Sequence, residues 1–178
     1  MLQGKTKVGK NCTLGPDTQL TDVICGDGNH LNRVYAHSCE LGDNNEIGPF
    51  VHLRPETCLH NDIKIGNFVE VKNSDVDDGT KLPHLIYCGD SDLGKNVNFG
   101  CGTVTVNFDG KNKHRCTIDE HAFIGCNTNL VAPVHIGARA FTAAGSTITK
   151  DVPAKALAVG RAKQVNIENW VKEDTYKD

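Results

Sequence analysis

The chain has 178 residues, with 19 Lys and Arg against 22 Asp and Glu, a net charge of −3, 38% hydrophobic residues and 6% aromatics. That length suits one domain with a sizeable core, and a weakly acidic balance without any basic run excludes nucleic-acid and polybasic membrane partners as first readings. No apolar segment approaches the roughly 18 residues of a membrane span, and the polar start "MLQGKTKVGKN" is not a signal peptide, so the expectation is a soluble, cytoplasmic protein.

Taken in chain order, the predicted elements repeat. Val8, Leu14 and Leu20 open a series in which an aliphatic returns at every sixth residue, and residues 21–40 hold it only weakly. From Leu41 the phase is regular, through Ile47, Leu53, Leu59, Ile65 and Val71. A one-residue slip leads to Val76, Leu82 and Cys88, and a second slip to Leu93, Phe99 and Thr105. The series resumes at Ile118 and continues through Ile124, Leu130, Ile136, Thr142 and Ile148. Four residues after these positions stand small or β-branched side chains, among them Val51, Thr57, Ile63, Val69, Val97, Ala122, Thr128 and Val134. Glycine often follows the aliphatic, as at Gly42, Gly66, Gly100 and Gly125.

An α-helix returns its apolar residues at a spacing of about 3.6 and a coiled coil at about 3.5, and neither matches. Two inward side chains four apart, followed by a turn, describe short strands joined at corners. Glycine beside the inward aliphatic suits a tight corner. Three such strands close a triangular coil of eighteen residues, and successive coils stack as parallel strands about 4.8 Å apart. Burial of each inward aliphatic contributes about 1.5–3 kcal/mol. An ordinary β-sandwich does not keep a six-residue phase through six consecutive steps, so the spacing predicts an all-β solenoid over residues 1–160.

Between 105 and 118 the phase gains seven residues around "NFDGKNKHRC", which predicts a polar, basic loop protruding near 107–115. The tail, 161–178, carries Ile167, Trp170 and Val171 at helical spacing, and the expectation there is a short helix packing its apolar edge on the prism. The eight cysteines lie at least ten residues apart, so there is no CxxC motif. They are read as reduced and mostly structural, with Cys12, Cys88 and Cys116 where the repeat calls for a small inward side chain.

Two features point to chemistry. Arg54 and Lys72 are eighteen residues apart with no slip between them, so they share a corner on neighbouring coils. Two positive charges near 5 Å repel by roughly 1 kcal/mol even in water, and an anion between them relieves this. A guanidinium beside an ammonium suits a phosphate; the alternative is a solvated pair neutralised by Glu56 or Glu70. Of the eight histidines, His84 in "KLPHLIYCGD" falls between the two slips, where the wall is disturbed, and by register Asn67 underlies it on the face of Glu70. Histidine titrates near neutral pH and is a natural general base. Gly100-Cys101-Gly102 lies within the repeat phase and makes no phosphate loop.

The six-residue pattern resembles the hexapeptide-repeat acyltransferase family, which implies a left-handed parallel β-helix assembled as a homotrimer with sites at subunit interfaces. More specifically, "IGPFVHLRPET", "IGNFVEVKNS", "PHLIYCGDSDLGKNVNFGCGTVTVNFDGKNKHR", "VAPVHIG", "TAAGSTIT" and "ALAVGRAKQ" occur in order over residues 41–163. They resemble the C-terminal acetyltransferase domain of the bacterial bifunctional N-acetylglucosamine-1-phosphate uridyltransferase/glucosamine-1-phosphate N-acetyltransferase. The resemblance implies acetyl transfer from acetyl-CoA to the amine of glucosamine 1-phosphate, for UDP-N-acetylglucosamine and cell-wall precursors. It implies His84 as general base and Glu70 as the carboxylate orienting it. Arg54 and Lys72 match phosphate ligands, Tyr87 and Asn98 sugar-phosphate contacts, and Lys113 a further basic contact. For acetyl-CoA the matching positions are Cys101, Asn107, Phe108, Cys126, Ala144 and Arg161. Three of these depart from the commoner pattern: Phe108 stands for tyrosine, Cys101 for alanine and Cys126 for serine. The family's uridyltransferase domain, with its divalent metal, has no counterpart in this sequence, so neither that activity nor a metal is expected of it.

Three other readings stand beside this one. The first is a hexapeptide acyltransferase with a different phosphorylated amino-sugar acceptor. The second is a zinc hydratase on the same scaffold, which needs three converging imidazoles and usually shows H-x4-H, absent here. The third is a non-catalytic trimerisation module.

Overall fold

In the computed structural model, which describes residues 1–171, every member of the six-residue series from Leu41 to Ile148 is buried. So is each small or β-branched residue four positions later, from Val51 to Val152. These two rows of inward side chains line the inside of a left-handed parallel β-helix of about nine coils. Each coil is a triangle. The first wall includes His30–Leu31, Glu46–Ile47, Asn98–Phe99, Phe123–Ile124 and Phe141–Thr142. The second includes Gln19–Thr21, Val34–His37, Val51–Leu53, Val104–Val106 and Asn129–Val131. The third includes Cys39–Leu41, Thr57–Leu59, Asp75–Val76, Ser91–Leu93, Cys116–Ile118 and Val134–Ile136. Two longer strands, Lys64–Lys72 and Lys81–Gly89, turn the corner from the first wall into the second without losing their pairing.

Register explains where the repeat is clear and where it blurs. Val51 pairs with Val69, a full eighteen-residue coil. Ile65 pairs with Leu82 and Lys81 with Asn98, so each slip is one coil shortened to seventeen. Asp92 pairs with Thr117 across twenty-five residues, an eighteen-residue coil plus the seven of the inserted loop. Nearer the start, Gln19 pairs with Tyr35 and His30 with Glu46, both sixteen apart. Short coils there shift the aliphatics out of phase, which is why 21–40 looks irregular in sequence while Leu20, Leu31, Val34 and Leu41 are all buried.

The corner between the first and second walls fixes residues of successive coils in the left-handed region, including Phe50, Phe68, Leu85, Gly102, Asn127 and Gly145. Room before the corner is minimal: a Cβ added to Gly66 would sit 2.0 Å from the Pro83 carbonyl oxygen. Only glycine permits that approach.

All eight cysteines are free thiols, with Cys88 and Cys116 fully buried. Desolvation pushes both of these thiols up to about 12. The C-terminal expectation needs correcting. Residues 161–171 form no helix, and Val165, Ile167, Trp170 and Val171 are exposed rather than packed on the prism. Val165, Asn166, Ile167, Asn169 and Val171 are all weak helix formers, which outweighs the spacing of three apolar side chains. The rest of the helical prediction, 172–178, lies outside the described residues. Among the described residues no helix is long and apolar enough to cross a membrane.

Candidate active site

Backbone pairing puts Arg54 and Lys72 side by side: Leu53 is opposite Val71, and the Arg54 N–H donates to the Val71 carbonyl at 2.8 Å. Their side chains have protein partners of opposite charge. Arg54 Nη1 donates to Glu70 Oε1 at 2.8 Å, and Lys72 Nζ lies 3.8 Å from Asp90 Oδ1. The third cation comes from the inserted loop. The neighbouring Lys113 charge, followed by desolvation, holds the Lys72 pKa below its usual value although Asp90 opposes the shift. Arg54, Lys72 and Lys113 thus face Glu70 and Asp90, leaving a net positive cluster at the outer edge of the second wall.

The loop carrying Lys113 is ordered from within. Asp109 Oδ1 accepts the Lys111 and Asn112 backbone N–H groups at 2.8 and 2.6 Å, and its Oδ2 lies 2.8 Å from His114 Nε2. These donors, the Asn112 N–H first, lower the Asp109 carboxyl to about 2. Phe108 and Lys113 form an antiparallel bridge across the loop. Its base is clamped by Arg115, which donates to Asp92, to the Asn73 carbonyl at 3.1 Å and to the Ser91 carbonyl at 3.1 Å. Asn107, matched by resemblance to acetyl-CoA binding, is buried and donates its side-chain amide to Asp90 and to the Tyr87 hydroxyl. Its amide joins the cation cluster to Tyr87. Phe108 is exposed on the loop.

Sequence reasoning missed Asp90. This buried carboxylate also accepts from Asn73 Nδ2 at 2.6 Å, so it organises Lys72, Asn73 and Asn107 at once. One signal was available: the Asp90 N–H donates to the Lys72 carbonyl, one coil apart, so register alone stacks it there.

His84 stands on a different edge. It pairs with Asn67, as the register implied, and is exposed at the corner between the first and second walls. The Gly102 N–H donates to the His84 carbonyl, Asn127 to Cys101 and Gly145 to Cys126. His84, Cys101, Cys126 and Ala144 therefore occupy the same corner of successive coils, in one line down the prism. Arg161 approaches that line where its Cδ lies 3.9 Å from a Cβ built on Gly145. The line gathers the sequence-assigned base and most of the assigned acetyl-CoA residues. Asn98 flanks it on the first wall, where it pairs with Lys81 and Phe123.

Glu70 and His84 occupy different register positions. Glu70 pairs with Tyr87, not with the His84 coil position, and Arg54 holds its carboxylate. The Phe68 and Leu85 corner separates it from the imidazole. Among the described residues no hydrogen bond joins Glu70 to His84; the Glu70 carboxylate is engaged by Arg54. At that corner Phe50, Phe68 and Leu85 remain exposed and, with Tyr35 on the second wall, line an open groove of about 650 Å³ that also borders Glu70 and Tyr87. Phe50 and Phe68 stack at 5.3 Å.

Comparison with known proteins bears on this geometry. No protein-family model matches the chain. Over 171 residues it is 52% identical to the bifunctional protein GlmU of Geobacillus sp., and over 173 residues 54% identical to that of Caldanaerobacter subterraneus subsp. tengcongensis. The chain is similar in sequence to part of GlmU. GlmU of Listeria welshimeri is 50% identical over 172 residues. Each alignment takes in 96–97% of this chain, which spans only 37–38% of the length of these GlmU relatives. Among solved structures, the UDP-N-acetylglucosamine acyltransferase of Francisella novicida superposes with a TM-score of 0.60 over 89% of this chain and 58% of that one, at 16% identity. The kinship with GlmU is thus one of sequence, and that with the Francisella enzyme one of fold.

Proposed function

We propose that the chain carries the acetyltransferase activity of the GlmU type, moving the acetyl group of acetyl-CoA to the amine of glucosamine 1-phosphate. The observation that carries this reading is the convergence of Arg54, Lys72 and Lys113 beside Tyr87, on a chain about half identical to GlmU. Three cations held by a rigid wall and a self-braced loop suit the phosphate of a sugar 1-phosphate. A bound phosphate offsets the mutual repulsion of Lys72 and Lys113. Tyr87 and Asn98 contact the sugar phosphate.

His84 is the general base. It takes a proton as the amine attacks the thioester carbonyl; the carbon–sulfur bond then breaks, and the CoA thiolate leaves and is protonated. Such assistance is worth about 10²–10⁴ in rate. Acetyl-CoA lies along the line of Cys101, Cys126 and Ala144 towards Arg161, with Asn107 and Phe108 at the loop. Because one chain holds the base and the cation cluster on opposite edges of its second wall, the site closes between copies in a homotrimer. The exposed corner of Phe50, Phe68 and Leu85, beside Tyr35 on the second wall, supports this assembly. Glu70 meets an imidazole only across such an interface. A cytoplasmic location fits these substrates.

The test is CoA-thiol release with glucosamine 1-phosphate against unphosphorylated glucosamine. The phosphorylated acceptor is expected to be turned over at least about 100-fold more efficiently, and His84→Ala to lower kcat by about 10²–10⁴ with the fold intact. Equal use of both acceptors removes the phosphate reading, and full activity of His84→Ala removes the catalytic one.

A further inference from the structure

On the third wall, away from the edges described above, Thr57 and Leu59 point inward and are buried. The alternation of a strand therefore turns Cys58 and His60 outward together. One coil on, Asp75 pairs with Cys58; one coil back, Glu40 does. His60 Nε2 lies 3.1 Å from Asp75 Oδ1, and a sulfur, an imidazole nitrogen and a carboxylate oxygen from Cys58, His60 and Asp75 all fall within 4.8 Å of one another.

We propose that Cys58, His60 and Asp75 form a divalent transition-metal site, with zinc as the favoured ion, clipping two successive coils on the outer face of the third wall. A thiolate, an imidazole and a carboxylate are zinc donors, and this mixture disfavours magnesium and calcium, which take oxygen. With bonds of about 2.0–2.3 Å, tetrahedral ligands stand roughly 3.3–3.8 Å apart. The three atoms, already within 4.8 Å of one another, stand close to that arrangement.

The column's charge argues for the same ion. Glu40 and Asp75 bracket Cys58 at coil spacing, with Asp92 the next carboxylate along. Arg115 neutralises Asp92 and lies near enough to Asp75 to feel its charge, but among the described residues no lysine or arginine forms an ion pair with Glu40 or Asp75. A cation at Cys58 relieves that repulsion, and Glu40 or water completes the fourth position. A second grouping, His60 with Asp77 and Asp78, competes poorly. Asp78 is already held by Lys95 at 3.0 Å and by Asn61.

The site does not depend on the proposed acetyl transfer, so its test reads metal rather than turnover. Metal-stripped protein is titrated with Zn²⁺ against a competing chelator, and with Co²⁺ by absorption. One zinc per chain is expected, with a near-ultraviolet thiolate-to-cobalt charge-transfer band and an unfolding temperature raised by about 5 °C at saturating Zn²⁺. Cys58→Ser and His60→Ala are expected to weaken binding at least 100-fold and to abolish the cobalt band and the thermal rise; Asp75→Asn is expected to weaken it less. His135→Ala, on the same wall but outside the trio, retains full binding. Circular dichroism without metal checks that the variants fold; should Cys58→Ser unfold, the cobalt band of the unaltered chain and Asp75→Asn carry the test. Absence of one-to-one binding, binding without a thiolate band, or binding indifferent to Cys58→Ser and His60→Ala overturns the site.

Discussion

Lys72 is a lysine whose ordinary pKa of 10.5 is lowered first by the Lys113 ammonium and then by partial desolvation. Its protonated form is the one that attracts an anion. As pH rises through the depressed value, that charge is lost while an ordinary lysine still holds its own. KM for glucosamine 1-phosphate is therefore expected to climb below pH 10.5 in the native protein, and Lys72→Ala to raise KM by about 10–100-fold at neutral pH and remove the climb. A steady-state pH series measures this; a flat KM in the native protein counts against Lys72 as a phosphate ligand. Glu70 and Asp90 matter to the same balance, since each holds a cation in place yet competes with the phosphate for it.

At the scale of elements, walls and corners were largely legible. Period alone fixes which side chains of a stacked coil point inward, so Ile65, Val71 and Phe99 could be placed before any coordinates. Stacking of Arg54 on Lys72 followed from the same arithmetic. Partner choice did not: the Arg54–Glu70 ion pair and the Asn107 amide bridging Asp90 and Tyr87 depend on side-chain rotamers, which no spacing encodes. The Cys58, His60 and Asp75 grouping escaped because a pair at i and i+2 joins its third member only through a seventeen-residue coil. The inserted loop was found by counting, but not its internal brace. Asp109, lowered to about 2, stabilises the loop at pH values above an ordinary carboxyl's 3.8, and that contribution fades as pH falls towards 2. Protection of the Lys111 and Asn112 amides, taken relative to the intrinsic exchange rate at each pH, is expected to fall over that interval and to be low at neutral pH in Asp109→Asn. Equal protection in the two proteins removes Asp109 as the brace.

For the whole molecule, the feature that matters most is the aromatic corner. Phe68 is 57% exposed and stacked on Phe50, with Arg33 5.7 Å from the Phe50 ring. If copies meet there, Phe68→Asp, which places a charge on an apolar interface, is expected to shift the protein from a trimer to monomers in light scattering. Acetyl transfer is expected to fall with it, because the base and the cations then lose their counterparts. A trimer that survives Phe68→Asp moves the interface elsewhere.

Each coil touches only the coil before it and the coil after it, and this has a consequence for how the protein comes apart. Leu2, Leu14 and Ile24 are exposed near one end, while the coils from Ile47 to Phe99 bury nearly all their aliphatics. Such a stack melts like a zipper rather than a globule. Heating or mild denaturant is expected to open the first coils first, leaving the middle closed, so deuterium uptake traced along the chain should fall steadily from Lys7 towards Val71.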